Sequence, residues 1–323
     1  MKKFDIFYIL YLLVIAIIAI SVFLFSDKIF TYKKSSGMLS PLPNFLTGFI
    51  NNQVSTLNLW FPSPTLIKKS GVREPDLSAT SAVLYDLVSN KVLYSKNPDL
   101  KLPMASLTKI MTAIIAIENK KPDDRYLVTT DDLVGEDSMG LSAGEVLSLE
   151  DLLYGLILHS GNDAAETLAS NYSYGRKGFI QAMNEKAKSL GLSDTNFTNP
   201  TGLEGDGKQY TTANDLLVIT NYALKKPLFQ EVVSQFDYHI PYSSEHKEYY
   251  LENETNLLTS YPGVLGVKTG YTPEAGLCLV TYLNYSGHKI IGILLDSDNR
   301  RQEMKDLLDY GLRVQGINPP SHG

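Results

Sequence analysis

A serine and a lysine, Ser106 and Lys109, stand three positions apart at the start of the apolar run 110–117. The density of apolar residues in this run is typical of a buried helix, and Pro103 suits the entry to one. At this spacing the two side chains lie one turn apart on the same helix face, so the hydroxyl can pass its proton to the amine. Backbone N–H groups without intrahelical partners at a helix start also favour an oxyanion. The pair alone fits equally well a capping serine beside a surface lysine.

Two more motifs follow in the chain, Ser160-Gly161-Asn162 and Lys268-Thr269-Gly270. The first falls where one helical pattern ends and the next begins, and the second falls inside a strand pattern. Together with the Ser106–Lys109 pair they form the set that penicillin-binding proteins and serine β-lactamases use for acyl transfer. Three such motifs in this order make a chance match of the first pair improbable.

The elements that must position these motifs change in kind along the chain. Strand patterns at 80–86 and 92–94 are joined by a turn at Ser89-Asn90. Helical patterns then begin at Ser148, which resembles a capping residue, and near Asp163, and span 179–190 and 212–224. Strand patterns return at 263–272, 277–283 and 288–295, and a helix at 298–310 closes the domain. This order predicts an α/β (α+β) fold in which helices cover an antiparallel sheet and an all-helical subdomain is inserted in its middle.

The N-terminal region predicts a membrane anchor. Residues 6–25 are almost wholly apolar, and about 20 residues at about 1.5 Å each span the roughly 30 Å core of a bilayer. Lys2 and Lys3 place the N-terminus in the cytoplasm and the rest of the chain outside, as a single-pass membrane protein. An uncleaved anchor at 1–25 is favoured over a signal peptide, because no small-x-small cleavage site precedes Asp27.

A proline-rich stretch at 26–75 is interpreted as an extracytoplasmic linker, followed by a catalytic domain at 76–313 and a tail at 314–323. The segment 42–61 suits either an amphipathic helix on the membrane surface or packing against the domain. Both arrangements stay open.

Composition excludes several classes of function. A net charge of −6 and a pI near 5.4 give no reason to expect nucleic-acid binding. The single cysteine, Cys278, excludes an intramolecular disulfide and lies in a strand pattern, which predicts a core position. The five histidines show no metal-ligand spacing, so neither a metal nor another cofactor is expected.

Beyond the three motifs, the segments 199–203, 275–278 and 307–311 complete a resemblance over roughly residues 76–313. The chain resembles the D-alanyl-D-alanine carboxypeptidase family of low-molecular-mass penicillin-binding proteins. The resemblance implies a β-lactamase/transpeptidase-like fold, peptidoglycan stem peptides ending in D-Ala-D-Ala as substrates, and β-lactams as covalent inhibitors. Many members carry a second, β-rich domain and a C-terminal anchor. Only twelve residues follow Gly311 here, so the N-terminal span is expected to replace that anchor.

The residue types fit a reaction through an acyl-enzyme. Ser106 is the expected nucleophile and Lys109 its base, which requires the pKa of this lysine to fall from about 10.4 to about 7–8. Burial in a cleft and the charge of Lys268 both act in that direction. Ser160, helped by Lys268, is expected to pass a proton to the leaving amine, and Asn162 to hold the amide on the acyl side of the peptide.

The substrate-binding residues are assigned through the resemblance. It implies that Thr269 and Arg300 bind the terminal carboxylate beside Lys268 and Gly270, with the neighbouring Arg301 as an alternative to Arg300. It also implies that the backbone N–H groups of Ser106 and Tyr271 form the oxyanion hole, where two aimed donors are needed. Asp163 is interpreted as a helix cap.

Three alternatives to a carboxypeptidase remain. An endopeptidase that cuts peptidoglycan cross-links would use the same residues on a longer substrate. A serine β-lactamase would need a glutamate that activates water, for which Glu204 is the nearest candidate. A binding module without turnover would not need both Lys109 and Lys268, and both are present.

Overall fold

A computed structural model describes residues 60–63, 65–67, 71–255 and 257–322. The predicted anchor and residues 42–59 of the predicted linker lie outside these residues. None of the helices within the described ranges has the length and the apolar character that crossing a bilayer requires. The anchor therefore stays a prediction.

Nine strands lie within the described residues: β1 (Ser81–Asp86), β2 (Lys91–Lys96), β3 (Tyr126–Leu127), β4 (Val146–Leu147), β5 (Asp237–Ile240), β6 (Tyr249–Glu252), β7 (Val264–Thr272), β8 (Gly276–Tyr285) and β9 (His288–Ser297). The helices are α1 (Lys109–Glu118), α2 (Leu149–Ile157), α3 (Asn162–Ser170), α4 (Gly175–Ser189), α5 (Ala213–Ala223), α6 (Pro227–Ser234), α7 (Leu257–Ser260) and α8 (Arg300–Val314). Short 3-10 turns lie at Ala105–Thr108 and Thr130–Asp132.

The main sheet has five antiparallel strands in the order β2-β1-β9-β8-β7. Both of its faces are covered, and the side chains of β1 show why. Val83 and Tyr85 point into the core shared with the helical subdomain, whereas Ala82 and Leu84 point into the core shared with α8. This alternation with period two is the pattern of a strand whose faces meet different layers. The predicted fold class, an antiparallel sheet covered by helices with a helical insertion, is confirmed.

Helix α1 lies at the centre of the inserted subdomain. Every residue from Lys109 to Ala116 is buried, and the helix packs against α2, α3, α4 and α5. A helix that is apolar all round needs such an enclosed position. Because α1 begins directly after the turn at Ala105–Thr108, the packing of the subdomain fixes Lys109 relative to Ser106.

Several boundaries differ from the sequence predictions. Helix α4 begins at Gly175, four residues before the predicted 179, and α8 runs from Arg300 to Val314 instead of 298–310. Helix α6 and the hairpin of β5 and β6 were not predicted. Pro227 at the first position of α6 is a start signal that the pattern contained. The strands β5 and β6 alternate buried and exposed side chains, but each has only four residues, and an alternation this short is a weak sequence signal.

The end of the predicted linker contacts the sheet. Trp60 packs edge-on against Tyr85, with 5.4 Å between ring centroids. Leu66 pairs with Val92 of β2 in a parallel bridge. Trp60 is thus packed against the domain.

Cys278 lies in β8 with none of its surface exposed, as predicted for a core residue. Burial raises the pKa of its thiol to about 11. A thiol in this state is a poor nucleophile.

Candidate active site

Ser106 lies in the 3-10 turn Ala105–Thr108, one residue after Ala105, whose φ is +47°. The predicted helix therefore begins at Lys109 and not before the serine. The two residues are still one turn apart, and 2.8 Å separates Lys109 Nζ from Ser106 Oγ. A left-handed non-glycine residue directly before the serine is strain of the kind that persists where packing over-determines the backbone.

The Nζ atom of Lys109 has three oxygen neighbours: Ser106 Oγ at 2.8 Å, Asn162 Oδ1 at 2.7 Å and the Thr201 carbonyl oxygen at 2.9 Å. The last two oxygens only accept hydrogen bonds, so two N–H groups of the amine donate to them. One direction of the amine is left, and it faces Ser106. A protonated Lys109 donates along it, whereas a neutral Lys109 presents its lone pair to the serine hydroxyl.

The environment favours the neutral form of Lys109. The side chain is fully buried, and this burial, followed by the charge of Lys268, holds the pKa of Lys109 well below its usual value. Burial also lowers the pKa of Lys268, to about 8, while the Glu254 carboxylate opposes that shift. Burial and the charge of Lys268 thus both disfavour a protonated Lys109, whereas the Glu254 carboxylate helps Lys268 to keep its charge.

Ser160 lies on the loop between α2 and α3, and Asn162 is the first residue of α3, where the sequence predicted a break. Ser160 is 2% exposed and left-handed, with a φ of +56°. The amide of Asn162 accepts from Lys109 through Oδ1 and donates through Nδ2 to the Glu136 carbonyl oxygen at 3.2 Å. Asn162 thus orients the lysine amine, a contact that the motif alone did not predict.

Asp163 is not the helix cap that the sequence predicted. The residue at the cap of α3 is Gly161, and the buried Asp163 carboxylate instead accepts hydrogen bonds from the backbone N–H groups of residues 139, 140 and 141, at 2.9–3.0 Å. It also accepts from Ser138 Oγ. This carboxylate holds the loop 138–141 against the start of α3, beside the site.

Strand β7 carries the third motif past Ser106. A Cβ atom on Gly270 would lie 3.1 Å from the Ser106 backbone nitrogen, so the strand backbone lies close against the serine turn. Lys268 and Thr269 precede this point and are 1% and 6% exposed, and Tyr271 follows it with 58% of its surface exposed. The structure therefore brings all three motifs into one cleft.

Arg300 reaches the same strand from the start of α8. Its Nη1 donates to the Gly270 carbonyl oxygen at 2.6 Å and lies 3.4 Å from the Cys278 carbonyl oxygen. Arg300 and the exposed Arg301 both line a small cavity of about 50 Å³ beside Thr269. Of the two arginines, Arg300 is therefore the one that donates a hydrogen bond to strand β7.

The same small cavity contains a carboxylate that the sequence did not indicate. Glu254 lines this cavity together with Arg300, and its Oε2 lies 3.5 Å from Thr269 Oγ1. It places a negative charge where a carboxylate of the substrate is expected to bind. Glu254 belongs to none of the three motifs and lies on the connection between β6 and α7, so no sequence pattern pointed to it.

The turn at 199–202 completes the surroundings of Lys109. Asn199 Oδ1 accepts from Gly202 N at 2.8 Å, which closes the turn and aims the Thr201 carbonyl oxygen at Lys109. Gly202 has a φ of +92°, and a Cβ atom there would lie 2.0 Å from the Ala105 carbonyl oxygen. Only glycine permits the turn to approach the serine so closely.

Gly202→Ala is therefore expected to displace the Ser106 turn, lower the free energy of unfolding by about 1–3 kcal/mol and reduce acylation by a labelled penicillin at least about tenfold. Gly207→Ala is the matched control. Gly207 also has a positive φ, +107°, but its nearest neighbour would be a Thr198 methyl carbon at an ordinary 3.6 Å. Thermal melting and acylation rates of both variants check this prediction, and equal loss of acylation in both would contradict it.

Residues 68–299 match the family model of D-alanyl-D-alanine carboxypeptidase. The chain belongs to the D-alanyl-D-alanine carboxypeptidase family. The carboxypeptidase DacF of Bacillus subtilis is 31% identical over 280 residues, which are 82% of this chain and 71% of that protein. A D-alanyl-D-alanine endopeptidase of Pseudomonas aeruginosa is 31% identical over 275 residues, 83% of this chain and 86% of that protein.

A solved structure shows the same fold. The crystal structure of a Streptomyces DD-transpeptidase superposes with a TM-score of 0.71 at 32% identity, covering 75% of this chain and 100% of that one. The family and the fold class inferred from the motifs are thus confirmed. Membership of this family also confirms the prediction that the protein is a serine-type carboxypeptidase, an enzyme and not a binding module without turnover.

Proposed function

We propose that this chain is a serine D,D-carboxypeptidase that removes the terminal D-alanine from peptidoglycan stem peptides. The contact between Lys109 Nζ and Ser106 Oγ carries the proposal, because two carbonyl-type acceptors leave the lysine only one direction, toward the serine hydroxyl. A buried amine with a lowered pKa in that position is a general base for a serine nucleophile.

In the first half-reaction Ser106 Oγ attacks the carbonyl carbon of the penultimate D-alanine, and its proton passes to Lys109. The carbonyl oxygen becomes an oxyanion, for which the Ser106 and Tyr271 backbone N–H groups are the proposed donors. Collapse of this intermediate breaks the peptide bond. The proton that Lys109 accepted passes through Ser160 to the leaving nitrogen, so that the D-alanine leaves as an amine, an ester on Ser106 remains and Lys109 is neutral again.

In the second half-reaction water attacks the ester and frees the shortened peptide, which restores the Ser106 hydroxyl. The charge of Lys268 favours the oxyanion-containing states of both steps. We assign the terminal carboxylate of the substrate to Thr269 and Arg300, which the structure holds beside each other, and the acyl-side amide to Asn162. A β-lactam would enter the same first step and leave an ester that is slow to hydrolyse.

An endopeptidase acting on cross-linked peptides is the second candidate, because the Pseudomonas aeruginosa relative of comparable identity is named an endopeptidase. Incubating the protein with a monomeric pentapeptide and with a cross-linked dimer separates the two. Release of D-alanine from the monomer supports the carboxypeptidase, and conversion of the dimer to monomers alone supports the endopeptidase.

Glu204 is the residue that the sequence offered as the water-activating glutamate of a β-lactamase. Its Oε1 atom accepts a hydrogen bond from the Glu274 backbone N–H at 3.0 Å.

The acylation rate is expected to show a bell-shaped dependence on pH. It rises as Lys109, whose pKa is well below its usual value, loses its proton, and it falls above about pH 8 as Lys268 loses its charge. The apparent pKa values of the two limbs are macroscopic and describe the pair of lysines, because the two side chains interact. Glu254 and Asp137 raise the pKa of Lys268 and Arg300 lowers it. Glu254→Gln should therefore move the descending limb to lower pH, measured with a chromogenic β-lactam. An unmoved limb would contradict the assignment of that limb to Lys268.

For the whole chain we propose an anchor at 1–25, a linker at 26–75, the catalytic domain at 76–313 and a tail at 314–323. The apolar run 6–25 behind Lys2 and Lys3 supports a single-pass protein of the bacterial cell membrane, with its domain outside. Membrane fractionation, protease access in intact cells and N-terminal sequencing test this topology. A mature chain that begins near residue 27 and is free in the medium would contradict it.

A further inference from the structure

A cavity of about 540 Å³ opens beside Ser106 and is not used by the reaction steps above. Its floor is formed by Met104 and Ala105, directly before the nucleophile. One wall is the glycine-rich loop 202–210, and the other contains Thr272 and Glu274 at the end of β7. The cavity therefore adjoins the turn that carries Ser106.

Strand β7 shows which part of a substrate can enter this cavity. The proposed carboxylate site lies at Thr269, and the Ser106 turn lies against Gly270. At about 3.3 Å per residue, Thr272 is about 10 Å further along the strand than Thr269. A peptide whose terminal carboxylate lies at Thr269 must leave the cleft in the opposite direction, along Thr272. The cavity thus faces the acyl side of the peptide, a step that rests on the proposed function.

Hydrogen bonds hold both walls in place. Glu204 Oε1 on the loop accepts from Glu274 N on the opposite wall, at 3.0 Å. Asp206 on the same loop accepts from Arg176 Nη2 at 2.8 Å, and Arg176 also makes two contacts with the buried Glu166 of α3, at 2.6 and 3.0 Å. These contacts tie the loop to the end of β7 and, through Arg176, to α3, and such preorganisation favours a specific subsite.

The walls carry both cationic and anionic side chains. Some of these already have an ion-pair or hydrogen-bond partner among the described residues, and others do not. Lys101 forms an ion pair with Asp194 at 2.9 Å, and the Glu204 carboxylate is bound to the opposite wall. Lys208 on the loop and Glu274 across from it are exposed, and neither side chain has an ion pair within the described part of the chain. One cationic and one anionic group thus remain for a ligand, on opposite walls.

We propose that this cavity binds the side chain of the residue that precedes D-Ala-D-Ala, and that it favours a side chain ending in both an ammonium and a carboxylate group. Lys208 would bind the carboxylate and Glu274 the ammonium. A side chain with an amine alone satisfies Glu274 but leaves Lys208 facing a like charge, which is unfavourable. A neutral side chain satisfies neither group.

Three acetylated tripeptides ending in D-Ala-D-Ala test the proposal, with meso-diaminopimelate, lysine or Nε-acetyllysine at the first position. The measured quantity is kcat/KM for D-alanine release, divided for each variant by its acylation rate with benzylpenicillin, which carries no charged acyl side chain. A matched, partly exposed charge is worth about fivefold, so the wild-type order should be diaminopimelate, then lysine, then acetyllysine.

Lys208→Gln should remove the preference for diaminopimelate over lysine, and Glu274→Gln should remove that for lysine over acetyllysine. Lys177→Gln is the matched control, since this exposed lysine of α4 lies outside the cavity and its replacement changes the net charge equally. Equal normalised rates for the three peptides, or equal effects of Lys208→Gln and Lys177→Gln, would overturn the subsite. If no peptide is cleaved although penicillin acylates Ser106, the proposed function fails and the subsite with it.

Discussion

A Ser106→Ala variant is expected to show no covalent label after incubation with a fluorescent penicillin, and to lose peptide turnover by on the order of 10⁴-fold or more. Within the described residues, Ser106 Oγ is the hydroxyl in hydrogen-bond contact with the Lys109 amine. Removing it leaves no oxygen to form the ester and no proton for the lysine to take. The label is read on a denaturing gel and located by mass spectrometry of the labelled peptide.

The same experiment on the wild-type protein should show a label that lasts for minutes or longer. Ser160→Ala is the control for the loss of a hydroxyl in the cleft, because Ser160 is not among the oxygen neighbours of Lys109. It should be labelled, more slowly than the wild type. Thermal melting tells loss of chemistry from loss of fold. A label on another residue, or fast hydrolysis of penicillin by the wild type, would contradict the proposal.

Replacing Lys109 by arginine should reduce acylation by about 10²–10⁴-fold, the usual contribution of a general base. An arginine keeps the positive charge but does not give up its proton in a protein, so it cannot accept one from Ser106. Lys268 acts in the proposal as a fixed cation, a role that arginine retains. Lys268→Arg should therefore reduce acylation only about tenfold or less, measured as the acylation rate with a chromogenic β-lactam.

Both lysines are buried, so the larger guanidinium needs a control for folding. Lys109→Met supplies it, because methionine has a similar unbranched shape and places no charge in the buried site. It should fold and be as inactive as Lys109→Arg, whereas a mere clash of the arginine would leave Lys109→Met active. Equal losses of acylation in Lys109→Arg and Lys268→Arg, in variants that melt normally, would show that the two lysines do not divide the roles of base and cation.

The sequence by itself predicted the elements whose signals are local. Mostly apolar runs of strand length, bounded by turn residues, predicted β1, β7, β8 and β9, because both faces of each of these strands pack against apolar layers. The spacing of Ser106 and Lys109 predicted their contact, since residues three apart on a helical turn are neighbours whatever the rest of the chain does. The three motifs were sufficient to predict the family and the fold class, which the comparisons confirm.

The tertiary structure alone decided what surrounds those motifs. The Asn162 and Thr201 oxygens that direct the Lys109 amine lie 53 and 92 positions away in the chain, and no local pattern encodes such a meeting. The same holds for Asp163 at the loop 138–141 and for Glu254 at Thr269. Such contacts form only when helices and strands pack together, because they join residues that are far apart in the sequence. The shifts in the lysine pKa values follow from that burial, so they too belong to the folded chain and not to its motifs.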